Sequence, residues 1–131
     1  VSFAEPRFRT QERAIDATTA VIAVDGEIHL STAPELSQVL AAALDAGRTR
    51  LVLDLSGVMF IDSTGLAALL TSLRRITRVN GALALVCTSP TVLRLFEITN
   101  LTSTFAIYDA VEPALQAVAA QAAGASDAGA P

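Results

Sequence analysis

Asp62-Ser63-Thr64-Gly65 is where this chain concentrates groups able to do chemistry. A carboxylate, two hydroxyls and a glycine interrupt the apolar stretch GVMFIDSTGLAALL, residues 57–70. Three uses of such a set can be weighed. A serine nucleophile needs a base, and the only histidine is His29. The nucleophile elbow Gly-x-Ser-x-Gly is not matched, because Ser63 is flanked as Ile61-Asp62-Ser63-Thr64-Gly65. An aspartic-protease signature, Asp-Thr-Gly or Asp-Ser-Gly, fails by one inserted residue. The third use is structural: Asp62 or Ser63 accepts from the free amides of a helix start. A capping hydroxyl at an exposed helix start is also within reach of another protein, so the two roles can coexist.

The remaining reactive residues offer less. Cys87 is the single cysteine, so no internal disulfide forms, and no Cys/His cluster has the spacing of a zinc site. No Gly-rich phosphate loop is present. No metal or cofactor is expected. Cys87 ends an apolar strand and reads as a core residue. His29 reads as a loop residue near the rim of the sheet.

Apolar periodicity places these residues on elements. Residues 8–15 and 19–25 read as strands joined by a hairpin at Asp16-Ala17. Val21-Ile22-Ala23-Val24 is apolar throughout, as in a strand buried on both faces. Thr32 and Glu35 have capping-box spacing and open a helix over 32–46, stopped by Gly47. Residues 50–55 form a strand, 56–62 a turn, and 63–79 a helix with Leu66, Leu69, Leu70, Leu73 and Ile76 on one stripe. Arg74, Arg75 and Arg78 near its end suit a solvated face and the helix dipole. Residues 82–87 are a strand, and Ser89-Pro90 caps a helix over 90–98. A last strand covers 104–107. Asp109 and Glu112 begin a final helix over 109–122. The small, polar residues 124–131 read as a disordered tail. The resulting organisation is an N-terminal extension over 1–7, one domain over 8–123, and the tail.

Strands alternating with helices predict an α/β domain with a largely parallel sheet of four or five strands, the first antiparallel. Ligand sites in such sheets lie beyond the carboxyl ends of the strands, which is where Asp62 and Ser63 fall. The 131 residues suffice for one core, with 52% apolar and 17% charged residues. A net charge of −4 argues against a nucleic-acid partner. No signal peptide is visible and no apolar run reaches membrane-spanning length, so a cytoplasmic protein without a membrane partner is expected.

Three segments, in order, carry a resemblance. They are Asp25-Gly26-Glu27-Ile28 followed by Thr32-Ala33-Pro34-Glu35-Leu36; Asp54-Leu55-Ser56-Gly57-Val58-Met59-Phe60-Ile61-Asp62-Ser63-Thr64-Gly65-Leu66; and Ser89 through Leu101. The chain resembles a STAS domain, specifically a bacterial anti-sigma factor antagonist, over residues 8–120. The resemblance implies the STAS fold, a mixed sheet flanked by about four helices. It implies a binding module rather than an enzyme. The partner it implies is an anti-sigma factor, frequently a serine kinase related to histidine-kinase-type ATPases, whose sigma factor is released on binding. That kinase phosphorylates the hydroxyl directly after the motif Asp, and a PP2C-type phosphatase reverses the step. On this chain the phosphoacceptor is Ser63, with Thr64 the weaker candidate. One departure stands out: antagonists often carry Asp after the Gly-Glu-Ile segment, and here the residue is His29.

Glu27, His29, Ser31, Asp62, Ser63, Thr64, Gly65, Ala67 and Ala68 are the expected partner-binding residues, on a surface made of the turn 56–62, the start of the helix that follows it and the rim 27–31. Ala67 and Ala68 keep the helix surface low enough for close approach. The alternative role is a STAS-type accessory subunit of a lipid-transport ATPase complex, which requires no phosphate cycle. The intact Asp62-Ser63-Thr64-Gly65 favours the antagonist.

Overall fold

A computed structural model describes the backbone of residues 8–128 and the side chains of residues 8–121. The elements follow in the order β1 (Arg9–Ala14), β2 (Thr19–Ile28), α1 (Ala33–Asp45), β3 (Arg50–Ile61), α2 (Ser63–Arg78), β4 (Ala82–Val86), α3 (Pro90–Ile98), β5 (Ala106–Tyr108) and α4 (Val111–Ala128). The five strands form one sheet in chain order. β1 pairs antiparallel with β2, and every other pair is parallel. The mixed α/β sheet expected from the alternation of elements is therefore present.

Strand order never reverses, so successive crossovers of one hand put α1, α2 and α3 on the same face of the sheet. Period-two alternation divides the strand side chains between two cores. Ile22, Leu51, Leu53, Leu83 and Leu85 face α1–α3 and meet Leu36, Leu40, Leu69, Ile76 and Phe96. Val21, Val52, Ala84 and Val86 face the other way and meet Ala114 and Val118 of α4. The burial of Val21 through Val24, with only Ala23 partly exposed, follows from this double cover.

The largest difference from the sequence reading is at the end of β3. Residues 56–61 are strand, not turn, and β2 continues to Ile28 rather than stopping at Asp25. The two strands keep pairing beyond the part of β3 that β4 covers, at Asp25↔Gly57, Gly26↔Val58, Glu27↔Phe60 and Ile28↔Ile61. The extension is irregular. Met59 has no residue opposite it, because Gly26 pairs with Val58 and Glu27 with Phe60. Gly26 has φ 104°, a left-handed conformation that glycine adopts without steric cost. Such bulges break the period-two pattern, which is why residues 56–61 read as a turn.

Smaller differences have local causes. The Thr32–Glu35 capping box does not form: Thr32 makes no side-chain cap. Its Oγ1 instead accepts from His29 N at 2.9 Å and donates to Glu27 O at 2.7 Å, closing the β2–α1 loop. β5 begins at Ala106, because Thr104 and Phe105 donate their amides back to Leu101 O in a turn. α4 begins at Val111 and extends through Ala128, so helix occupies part of the expected tail. Ala-rich sequence favours that continuation. Residues 1–7 and 129–131, in the expected extension and tail, lie outside the described residues.

Candidate functional site

Asp62 is the one residue between β3 and α2, and it organises the junction. Its backbone is extended, with φ −99° and ψ −177°, and its Oδ1 accepts from Gly65 N at 2.8 Å. The Asp62 carbonyl accepts from Leu66 N at 3.0 Å. Of the two capping candidates the cap is therefore Asp62, and Ser63 sits at the first helical position with its side chain exposed. The Ser63 and Thr64 amides precede the first intrahelical bond, so the helix start offers donors and the positive end of its dipole at that point.

The same carboxylate ties a second element to this spot. Asp62 Oδ2 accepts from Leu30 N at 3.3 Å, and Asp62 N donates to Ile28 O at 3.0 Å. Gly65 packs where the two meet. A Cβ at this position would lie 2.8 Å from both Ile28 O and Ile28 Cγ2, and 2.9 Å from Ile61 Cγ2. The β2–α1 loop and the first two turns of α2 are thus held as one surface.

An open groove of about 340 Å³ runs between the two helices along this surface. Leu30, Ala33, Pro34 and Ser37 form one wall, and Thr64, Ala67, Ala68 and Thr71 the other. Ala67 is exposed and Ala68 half-buried, so these small residues leave open a groove that larger ones would fill. Leu30 is 72% exposed at its mouth. Met59 and Phe60, on the bulged end of β3, are 56% and 44% exposed. Leu30 falls within the expected rim 27–31, but sequence reasoning missed Ala33, Pro34 and Ser37 of α1 and Thr71 of α2 as groove residues. The available signal was Leu30 itself, an apolar residue between His29 and Ser31 in a loop.

The other expected contact residues lie on the β2–α1 side. Glu27 and His29 are half-buried and Ser31 is exposed. His29 Nε2 is 3.7 Å from Glu27 Oε1, and its Nδ1 accepts from Ser31 N at 3.2 Å. Both ring nitrogens face groups within two residues of His29, so the histidine is not set up as a base for Ser63. Ser56 bonds back to Asp54, through its amide at 3.0 Å and its hydroxyl at 2.6 Å. Cys87 is buried as expected, and burial pushes its thiol above the ordinary range. No group of three or more metal-binding side chains occurs among the described residues, and no helix there is long and apolar enough to cross a membrane.

The family model for the STAS domain matches residues 6–114. The chain belongs to the STAS domain family. Similar proteins include BtrV of Bordetella bronchiseptica, provisionally named an anti-sigma factor antagonist, at 33% identity over 74% of this chain and 84% of BtrV. The anti-sigma-B factor antagonist of Staphylococcus aureus is 34% identical over 61% of this STAS chain and 74% of its own length. Among solved structures, an anti-sigma factor antagonist from Mycobacterium paratuberculosis superposes with a TM-score of 0.78 at 32% identity, covering 86% of this chain and 94% of that one. The STAS domain is thus similar to proteins named for a regulatory role.

Proposed function

We propose that this STAS domain is an anti-sigma factor antagonist that works in the cytoplasm. It binds an anti-sigma factor that is also a serine kinase, frees the sigma factor, and is switched off when the kinase phosphorylates Ser63. A PP2C-type phosphatase resets it. The chain acts as a binding module, not an enzyme. The observation that carries this reading is the separation of two tasks at the helix start: Asp62 caps α2, and Ser63 is left exposed beside the groove. Relatives named anti-sigma factor antagonists support the choice of partner.

The physics of the switch is local. A phosphoserine carries about −1.5 to −2 charge at pH 7. At the first position of α2 it meets free amides and the positive dipole end, so the fold tolerates it. Against a docked partner it adds bulk and charge, and like charges forced together across an interface cost several kcal/mol. About 2.8 kcal/mol already weakens binding a hundredfold. No large conformational change is required.

The test is a pull-down and titration with wild type, Ser63→Ala and Ser63→Asp in parallel, with phosphate mapping after incubation with the recovered kinase and ATP. Ser63→Ala should bind and resist phosphorylation, while Ser63→Asp should bind weakly. Phosphate found only on Thr64, or recovery of a transporter ATPase in place of an anti-sigma factor, would refute the assignment.

A further inference from the structure

The exposed face of α2 does not end with the groove. Ser63, Ala67, Thr71, Arg74, Arg75 and Arg78 are all exposed. They recur at three- and four-residue spacing, so they share one face. That face runs about 22 Å from the candidate phosphoacceptor to the helix end. Its upper half is small and uncharged, and its lower half carries three guanidinium groups. α2 contains no Asp or Glu. Among the described residues the ion pairs are His29–Glu27 and Arg48–Glu12, so none of the three arginines has a carboxylate partner there.

This arrangement is unfavourable for the isolated chain. Arg74 and Arg78 are four residues apart and Arg75 and Arg78 three, and like charges at those spacings destabilise a helix. The helix dipole favours cations in the last turn, which accounts for Arg75 and Arg78 but not for a third. The cluster is also an island of positive charge on a chain with net charge −4.

We infer that the docking surface continues down α2 and that the partner presents a patch of Asp and Glu side chains to Arg74, Arg75 and Arg78. The inference rests on the reading of the Ser63 surface as the docking site. Continuity of the exposed face selects the protein already docked at Ser63 as the occupant. Charge complementarity specifies its chemistry, since arginine matches carboxylates with paired, directional hydrogen bonds. The cluster begins about 16 Å along the helix from Ser63, about two Debye lengths at physiological salt, where that length is about 8 Å. It therefore guides encounter whether or not Ser63 carries phosphate, because complementary charge acts chiefly on association rate.

The experiment uses the anti-sigma factor recovered with the wild-type chain, identified by mass spectrometry and purified. Association rates are measured at about 0.01 M and about 0.15 M ionic strength. The variants are Arg74→Ala/Arg75→Ala/Arg78→Ala, the corresponding triple Lys substitution, and Ser63→Asp. The triple Ala variant should associate about tenfold more slowly at low ionic strength and lose most of its salt dependence. The triple Lys variant should recover most of the rate. Ser63→Asp should bind weakly while keeping the salt dependence. Wild-type rates for the triple Ala variant at both ionic strengths overturn the inference. So does a defect confined to phosphatidylglycerol vesicles or duplex DNA, run as parallel probes. If Ser63→Asp weakens binding and the triple Ala variant does not, this inference fails alone. If Ser63→Asp binds as tightly as wild type, the docking reading beneath it fails.

Discussion

Asp62 joins Leu30 to the start of α2: one carboxylate oxygen accepts from Leu30 N at 3.3 Å and the other from Gly65 N at 2.8 Å. Cap and loop clasp are the same side chain. Asp62→Ala removes both, and a lost cap alone costs about 1 kcal/mol, up to about 2. Asp62→Asn keeps an acceptor for Gly65 and should lose less. Urea denaturation of the three proteins checks the order wild type, Asn, Ala. Equal midpoints for wild type and Asp62→Ala would show that the clasp contributes nothing.

The architecture was legible because hydrophobic period and turn residues agree over most of the chain. Ser89 illustrates this: Ser-Pro before an apolar stripe predicts a cap, and Ser89 Oγ accepts from Val92 N at 3.4 Å. The failures cluster at the site. Thr32 has the spacing of a capping box but spends its hydroxyl on His29 and Glu27, a competition that residue spacing does not reveal. The bulged residues 56–61 keep strand pairing while losing strand period. Asp62 and Ser63 could both have been caps from sequence, and only backbone geometry separates them. The groove joins residues about thirty positions apart, so no local pattern announces it.

Gly65 should not tolerate a methyl group. Its Cβ would press on Ile28 O, a backbone atom that cannot rotate away, and on Ile61 Cγ2. Relief requires α2 to move off the end of β2, which also stretches the Asp62–Leu30 bond. Gly65→Ala should cost about 1–3 kcal/mol, the range for overpacking, although alanine is otherwise the better helix former. A thermal melt at or above wild type would contradict the packing described.

Asp16 gives the β1–β2 turn a pH dependence. Its Oδ1 accepts from Thr18 N at 2.9 Å and from Thr19 N at 2.8 Å. The Thr18 amide foremost, with further help from Thr19, holds the carboxyl below its ordinary range. A depressed folded-state value contributes stability above the unfolded value of about 3.9 and loses it as pH falls through the folded value. Asp16→Ala should therefore be less stable than wild type at pH 7, with the gap narrowing in acid below about pH 4. Urea midpoints of both proteins across that range measure it, and a gap that widens in acid would reverse the sign argued here.

Leu30 separates a docking role from a folding role. It is 72% exposed at the mouth of the groove, so a charge there meets water in the free protein. In a complex that covers the groove the same charge is desolvated, and the contact made by the leucine is lost. Burying a leucine side chain is worth about 1.5–3 kcal/mol, so Leu30→Glu should weaken partner binding at least tenfold with little change in melting temperature. Ile98, 68% exposed on α3, is the matched control, since it lies outside the groove. Ile98→Glu should bind like wild type. Titrating both variants against the partner recovered by the wild-type chain tests the location of the surface. If Ile98→Glu abolishes binding and Leu30→Glu does not, the partner docks on α3 and the groove beside Ser63 is not its seat.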